Sequence, residues 1–325
     1  MVHTLTKLVV ETTKRANLKT KLIGTIVSLN TQYDRSTMIC EGYIDKTRHL
    51  SGTFLVAEST RIRAYRGKAC LFYDLVVDVA VKYQILDHFF QTSRYKKVAR
   101  YMGISRTVML HGPAGTGKST LCRAVADKIA VRTKKRIKIV EVRCTHYVSK
   151  FYGESGQKLS ELFKNLDRNT VVIIDEVESL LVSRDRICAR NEPLDSIRIV
   201  NTFLVNLDVS GCFFLCTTNF LEVVDRAFVD RMDLVIRLCY PRVQHIYRII
   251  LNVLHVLMLR NILQFEILPN YSQAVNTESK ILLISRSVGT VSARRIKKMI
   301  FNAMGTGVRT ADDLLDRLER LVTRE

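Results

Sequence analysis

With 325 residues, 47% of them hydrophobic, the chain is long enough for one large domain or two ordinary ones around a real core, so it is read as globular. Its 51 Lys and Arg against 31 Asp and Glu leave a net charge of +20, but the bases are spread in small knots (RIRAYRGK, RTKKRIK, SARRIKK) with no long basic tail and no RNA-binding signature, so nucleic acid is permitted as a partner without being specified. No run of about eighteen uncharged apolar residues occurs, and the apolar part of MVHTLTKLVVETTKRANLK is too short for a secretory signal, so a soluble intracellular chain is expected.

Residues 1–70 carry short β-rich runs such as LIGTIVSL, STMICEGYI and SGTFLVAE between polar turns, which predicts a small α+β module without a chemical motif. From Leu71 to Ser105 an extended piece, LFYDLVVDV, leads into a mostly helical connector. The apolar strands TVMLH, IKIVEV, TVVIID and CFFLCTT then alternate with helical periods, the pattern of a parallel sheet with helices on both faces. After Pro241 the strands stop, and PRVQHIYRIILNVLHVLML, SARRIKKMIFNAM and TADDLLDRLERLV predict a helical subdomain. The expected division is 1–70, 71–240 and 241–325. The eight cysteines lack the paired C-x-x-C spacing of zinc or thiol-exchange sites and read as reduced, buried small hydrophobes.

Chemistry concentrates in the alternating region. HGPAGTGKST fits G-x-x-x-x-G-K-[ST], directly after the strand TVML and directly before the helix STLCRAVADKIA, the context that the phosphate-loop motif requires. In the run Gly112, Pro113, Ala114, Gly115, Thr116, Gly117 the three glycines let backbone N–H groups turn toward phosphates; Lys118 reaches the β and γ oxygens and the Ser119 hydroxyl holds Mg²⁺. ATP and Mg²⁺ are therefore the expected ligands. VVIIDEVESL delivers Asp175 and Glu176 to the end of a buried strand. Beside a phosphate loop, Asp175 holds the metal through water and Glu176 polarises the attacking water; alone, such a pair is as often a helix N-cap. CFFLCTTNF ends in Asn219, placed to orient that water, although an asparagine after a strand is by itself a turn former. In SKFYGESGQ, Phe151 and Tyr152 read in isolation as rings packed beside a turn.

With these pieces in order the chain resembles the AAA+ ATPases from about Leu71 to about Thr310. The stretches LVVDVAVK, HGPAGTGKSTLC, IDEVESL, NEPLDSIRIVN and AFVDRMD are similar to those of the pachytene checkpoint type (thyroid-hormone-receptor interactors in animals). The resemblance implies a P-loop AAA+ fold with a C-terminal helical lid and a small α+β N-terminal domain that engages substrate or adaptor. It also implies a homo-hexameric ring that partly unfolds HORMA-domain proteins, directly or through an adaptor, in meiotic chromosome and spindle checkpoint control, hence in nucleus and cytoplasm. By position Arg231 is the arginine finger, with Arg226 as the other candidate. Arg294 is the second sensor, with Arg295 as its alternative, because Ala293 stands where the family tends to place glycine. Phe151 and Tyr152 fall in the first pore loop, where the family usually has a tryptophan and this chain has none; SRDRICARNEP falls in the second, followed by Asp195 and Arg198 in structural or inter-subunit positions. The competing readings are a nucleic-acid-acting AAA+ ATPase of loader or helicase type, favoured by the charge, and a nucleotide-dependent scaffold, which would have no use for Glu176 or Arg231.

Overall fold

The structure, a computed structural model, describes residues 60–63, 70–133, 137–143, 163–164, 166–183 and 194–323. In chain order these form β1 (Thr60–Arg63), α1 (Cys70–Asp74), α2 (Val79–Arg94), α3 (Lys96–Tyr101), β2 (Thr107–His111), α4 (Lys118–Arg132), β3 (Lys138–Arg143) and β4 (Thr170–Asp175). After these come α5 (Leu194–Ser210), β5 (Phe213–Thr218), the single turn α6 (Arg226–Val229) and β6 (Leu234–Arg237). The last helices are α7 (Val243–Leu259), α8 (Tyr271–Thr277), α9 (Lys280–Ser287), α10 (Ala293–Ala303) and α11 (Ala311–Val322). The described residues divide into two compact units at Cys239/Tyr240.

The first unit is built on one sheet, in the order β1-β3-β4-β5-β2-β6. Its five strands from β3 to β6 are parallel, and β1 joins the β3 edge antiparallel. Strands apolar at every position have two faces to bury, and both are covered. Val108 and Leu110 of β2, Val171 and Ile173 of β4 and Phe213 and Leu215 of β5 share a core with Ile85 of α2 and Leu121 and Val125 of α4. Met109, Val172, Ile174, Phe214 and Cys216 point the other way, into a core with Val200, Phe203 and Leu207 of α5. The expected α/β fold is thus present, with one addition. β1 lies within the segment 1–70 read as a separate module, yet it pairs along β3 from Thr60 opposite Val142 to Arg63 opposite Ile139, so this short edge strand belongs to the sheet.

A second fixed point is Asp233, between α6 and β6. Its carboxylate accepts from the backbone N–H groups of Ser105 (3.0 Å) and Thr107 (2.8 Å) and bonds His88 Nε2 at 3.1 Å. It thereby ties the entry of β2 to α2 and β6.

The second unit is the expected helical region. α7 buries Ile246, Tyr247, Ile250 and Leu254, and packs against α9 and α10, while α10 packs on α11. Thr310 and Asp313 form a reciprocal cap that starts α11, and Ser292 caps α10.

Candidate nucleotide site

Between β2 and α4 the chain turns through six residues, and the turn demands glycine. Gly112, Gly115 and Gly117 have φ of 137°, 79° and 99°, conformations that side-chain-bearing residues rarely adopt. Gly112 is also barred by space, since a Cβ there would lie 2.1 Å from the carbonyl oxygen of Leu238. Gly117 caps α4 without a side-chain hydrogen bond, and the first turn of that helix has no acidic residue. The start of a fifteen-residue helix is thereby left to its own N–H groups and dipole, which favour an anion.

Lys118, only 6% exposed, directs its ammonium group at three oxygens: Gly112 O at 2.7 Å, Pro113 O at 2.8 Å and Asn219 Oδ1 at 2.8 Å. Thr116 Oγ1 closes the loop on Pro113 O at 3.0 Å. Ser119 Oγ donates to Asp175 Oδ1 at 2.6 Å. β4, β5 and β2 are neighbours in the sheet, so Asp175, Asn219 and the loop meet outside the carboxyl ends of adjacent parallel strands. Burial, then the positive charges of Arg237 and Lys118, lower the pKa of His111 at the foot of the loop, which keeps its ring neutral there.

Two residues that sequence reasoning did not single out complete the cluster. Buried Thr217 donates to Asp175 Oδ1, and its own oxygen accepts the backbone N–H of Glu176 at 3.1 Å. Glu176 has φ 57° and ψ 55°, left-handed geometry that is uncommon outside glycine, and its side chain is exposed. Glu178 lies two residues further on: its Oε1 accepts from Asn219 N (3.1 Å) and Asn219 Nδ2 (3.3 Å). The other carboxylate oxygen, Oε2, is buried with no hydrogen-bond partner among the described residues. Two signals were available in the sequence: the polar pair Thr217–Thr218 closing an otherwise apolar strand, and a third acid after DE.

The remaining candidates that are described are Arg231, Arg226, Arg294 and Arg295. Arg231 is half-buried, with Nε on Asp208 Oδ2 at 3.1 Å and Nη1 on Ala227 O at 2.9 Å. Arg226, at the first position of α6, is exposed and makes no side-chain bond among the described residues. Arg294 and Arg295 are exposed in the first turn of α10, in the second unit. Phe151, Tyr152 and nearly all of the second pore loop lie outside the described residues, and Arg198 is an exposed position of α5.

Residues 108–240 match the family described as ATPase family associated with various cellular activities (AAA). The Pachytene checkpoint protein 2 homolog of Homo sapiens is 35% identical over 261 residues, covering 72% of this chain. The Danio rerio homolog is 33% identical over 285 residues, or 77% of this chain. The chain spans 60% of the length of the human protein and 67% of the zebrafish one. Among solved structures, that of C. elegans PCH-2 is similar with a TM-score of 0.62 at 21% identity, over 78% of this chain and 72% of that one. The E. coli MS115-1 HORMA:CdnC:Trip13 complex is similar with a TM-score of 0.59 at 16% identity, over 82% of this chain and 95% of that one. At these identities both are likenesses of fold.

Proposed function

The chain belongs to the Pachytene checkpoint protein 2 homolog family of AAA ATPases, and from that premise we propose that it hydrolyses ATP in a homo-hexameric ring to unfold part of a HORMA-domain protein. The observation that carries the ATPase reading is the convergence of Lys118, Ser119, Asp175 and Asn219 at three adjacent strand ends. The client class comes from the family, and the E. coli assembly, in which a Trip13 occurs with a HORMA protein, supports it. Meiotic and spindle checkpoint work in nucleus and cytoplasm belongs to the same proposal.

In this mechanism the loop N–H groups from Ala114 to Ser119 and the open start of α4 bind the phosphates. Lys118 exchanges its neutral acceptors on Gly112, Pro113 and Asn219 for anionic β- and γ-phosphate oxygens, so that both partners of the bond are charged. Ser119 and Asp175 are a hydroxyl and a carboxylate already in contact, a donor set of hard oxygens that suits Mg²⁺. The ion supplies charge neutralisation on the β- and γ-phosphates when bound. Glu176 takes the role of polarising the attacking water, and Thr217 steadies both acids. Asn219, freed from Lys118, is left to orient that water. Arg231 is the finger toward the neighbouring subunit; to reach it, the side chain gives up a partly exposed ion pair with Asp208, worth about 0–1 kcal/mol, and one bond to Ala227 O. Arg226 is the alternative finger, and Arg294, or else Arg295, the second sensor. Phe151 and Tyr152 grip the threaded client by apolar contact and stacking.

A second reading, a nucleic-acid-acting ATPase, is favoured by the net charge of +20 and by the exposed Arg294, Arg295, Lys297 and Lys298 of α10. The two are separated by measuring ATP turnover of the full chain with a HORMA-domain protein or with DNA. Stimulation by the HORMA protein alone is expected; stimulation by DNA alone would replace the first reading with the second.

A further inference from the structure

Glu178 lies outside both the phosphate loop and the Asp175–Glu176 pair, yet it governs the side chain between them. The amide of Asn219 is held from two sides. Its Oδ1 faces the Lys118 ammonium at 2.8 Å, while its Nδ2 and its backbone N–H both face Oε1 of Glu178, at 3.3 and 3.1 Å. A flipped amide would set oxygen against carboxylate and NH₂ against ammonium, two contacts without a hydrogen bond. Once Lys118 turns to a phosphate, the Lys118 constraint is gone and Glu178 alone keeps the orientation.

The cost of this arrangement argues against simple packing. A carboxylate with one buried oxygen unbonded among the described residues is a poor structural device, because an unsatisfied buried acceptor is destabilising. Such exceptions concentrate where function needs them.

We propose that Glu178 is the positioning residue of Asn219, holding its amide so that the second Nδ2 hydrogen points to the γ-phosphate or the attacking water when Lys118 has left. The proposal rests on the ATPase reading above. The test uses the full chain and measures kcat for ATP, ATP affinity by fluorescent-nucleotide competition, and melting temperature for Glu178→Ala, Glu178→Gln, Asn219→Ala and the double alanine variant. Glu178→Ala is expected to lower kcat roughly tenfold or more with ATP affinity within about threefold. Glu178→Gln, which keeps an oxygen for both N–H groups, restores most of the turnover. The double variant falls no further than Asn219→Ala, because the two residues act as one unit. Multiplying losses in the double variant, or unchanged turnover with earlier melting in Glu178→Ala, overturns the proposal. If Glu178→Ala does not fold, Glu178→Gln and Glu178→Leu decide: the glutamine, which keeps an acceptor for both N–H groups of Asn219, must retain most of the turnover and the leucine, which keeps none, must lose it, failing which the proposal falls. A wild-type chain that binds ATP without hydrolysing it overturns the ATPase reading and this proposal together.

Discussion

Lys118 donates to three oxygens of its own chain, so its charge is satisfied before any phosphate arrives and the loop keeps its shape around it. In the proposed mechanism the lysine is thus both a ligand for phosphate and a brace for the loop. Lys118→Ala is expected to abolish nucleotide binding, read by equilibrium titration, because Lys118 is the one cation of the loop 112–119. Glu176→Gln has a different expected outcome, since the exposed Glu176 side chain braces nothing among the described residues. That variant should bind ATP normally and lose roughly a hundredfold or more in turnover, the size seen when a group acting at the reacting atoms is removed. Normal hydrolysis by the glutamine variant would remove Glu176 from the mechanism.

At the scale of elements, Asp233 is the joint that holds the start of β2 against α2 and β6. Burial opposes its ionisation, but the His88 ring and the N–H groups of Thr107 and Ser105 outweigh that and hold its pKa below the ordinary carboxylate range. A carboxyl depressed in the folded state contributes stability that is fully present above its unfolded value of about 3.9 and is lost as pH falls through the folded one. Asp233→Asn keeps one acceptor oxygen for donors that now share two. It is expected to cost about 1–3 kcal/mol at pH 7, with the deficit shrinking as pH drops below about 4. Denaturant unfolding of both chains between pH 7 and pH 3.5 measures this; a deficit that does not change with pH would assign the joint to shape rather than charge.

At the scale of the whole molecule, assembly and mechanical work place separate demands on Arg231 and on the rings Phe151 and Tyr152. If Arg231 acts on the nucleotide of the next subunit, a mixture of Arg231→Ala and Glu176→Gln chains should recover part of the hydrolysis that each lacks alone, since some interfaces then join an intact glutamate to an intact arginine. The same mixture made with Arg226→Ala tests the alternative finger. No recovery in either mixture would argue for a site complete within one chain. Changing Phe151 and Tyr152 together to alanine should leave basal ATP turnover within a few-fold and abolish unfolding of a HORMA client. If those rings were instead core, emptying them would cost about 3–5 kcal/mol each, and a sharp fall in melting temperature would be the result.

What the sequence by itself determined is what contiguous residues dictate. The phosphate loop was legible because positive φ at Gly112, Gly115 and Gly117 demands glycine at fixed spacing, and because a strand and a helix must flank it. The sheet was legible because uninterrupted apolar runs such as TVVIID need cover on both faces, and the helical C-terminal region because its periodicity runs through whole segments. Only tertiary structure decided which distant groups meet. Thr217 and Glu178 enter the site because β5 lies between β4 and β2, an order that hydrophobic pattern does not encode, and β1 joins an edge of the sheet from within a segment that read as separate. Arg231 and Asp208 pair across 23 positions for the same reason: α5 and the α6–β6 turn are brought side by side by the core beneath them. Local backbone demands are written in residue type and spacing, whereas hydrogen bonds across the sheet depend on which surfaces the core chooses to cover.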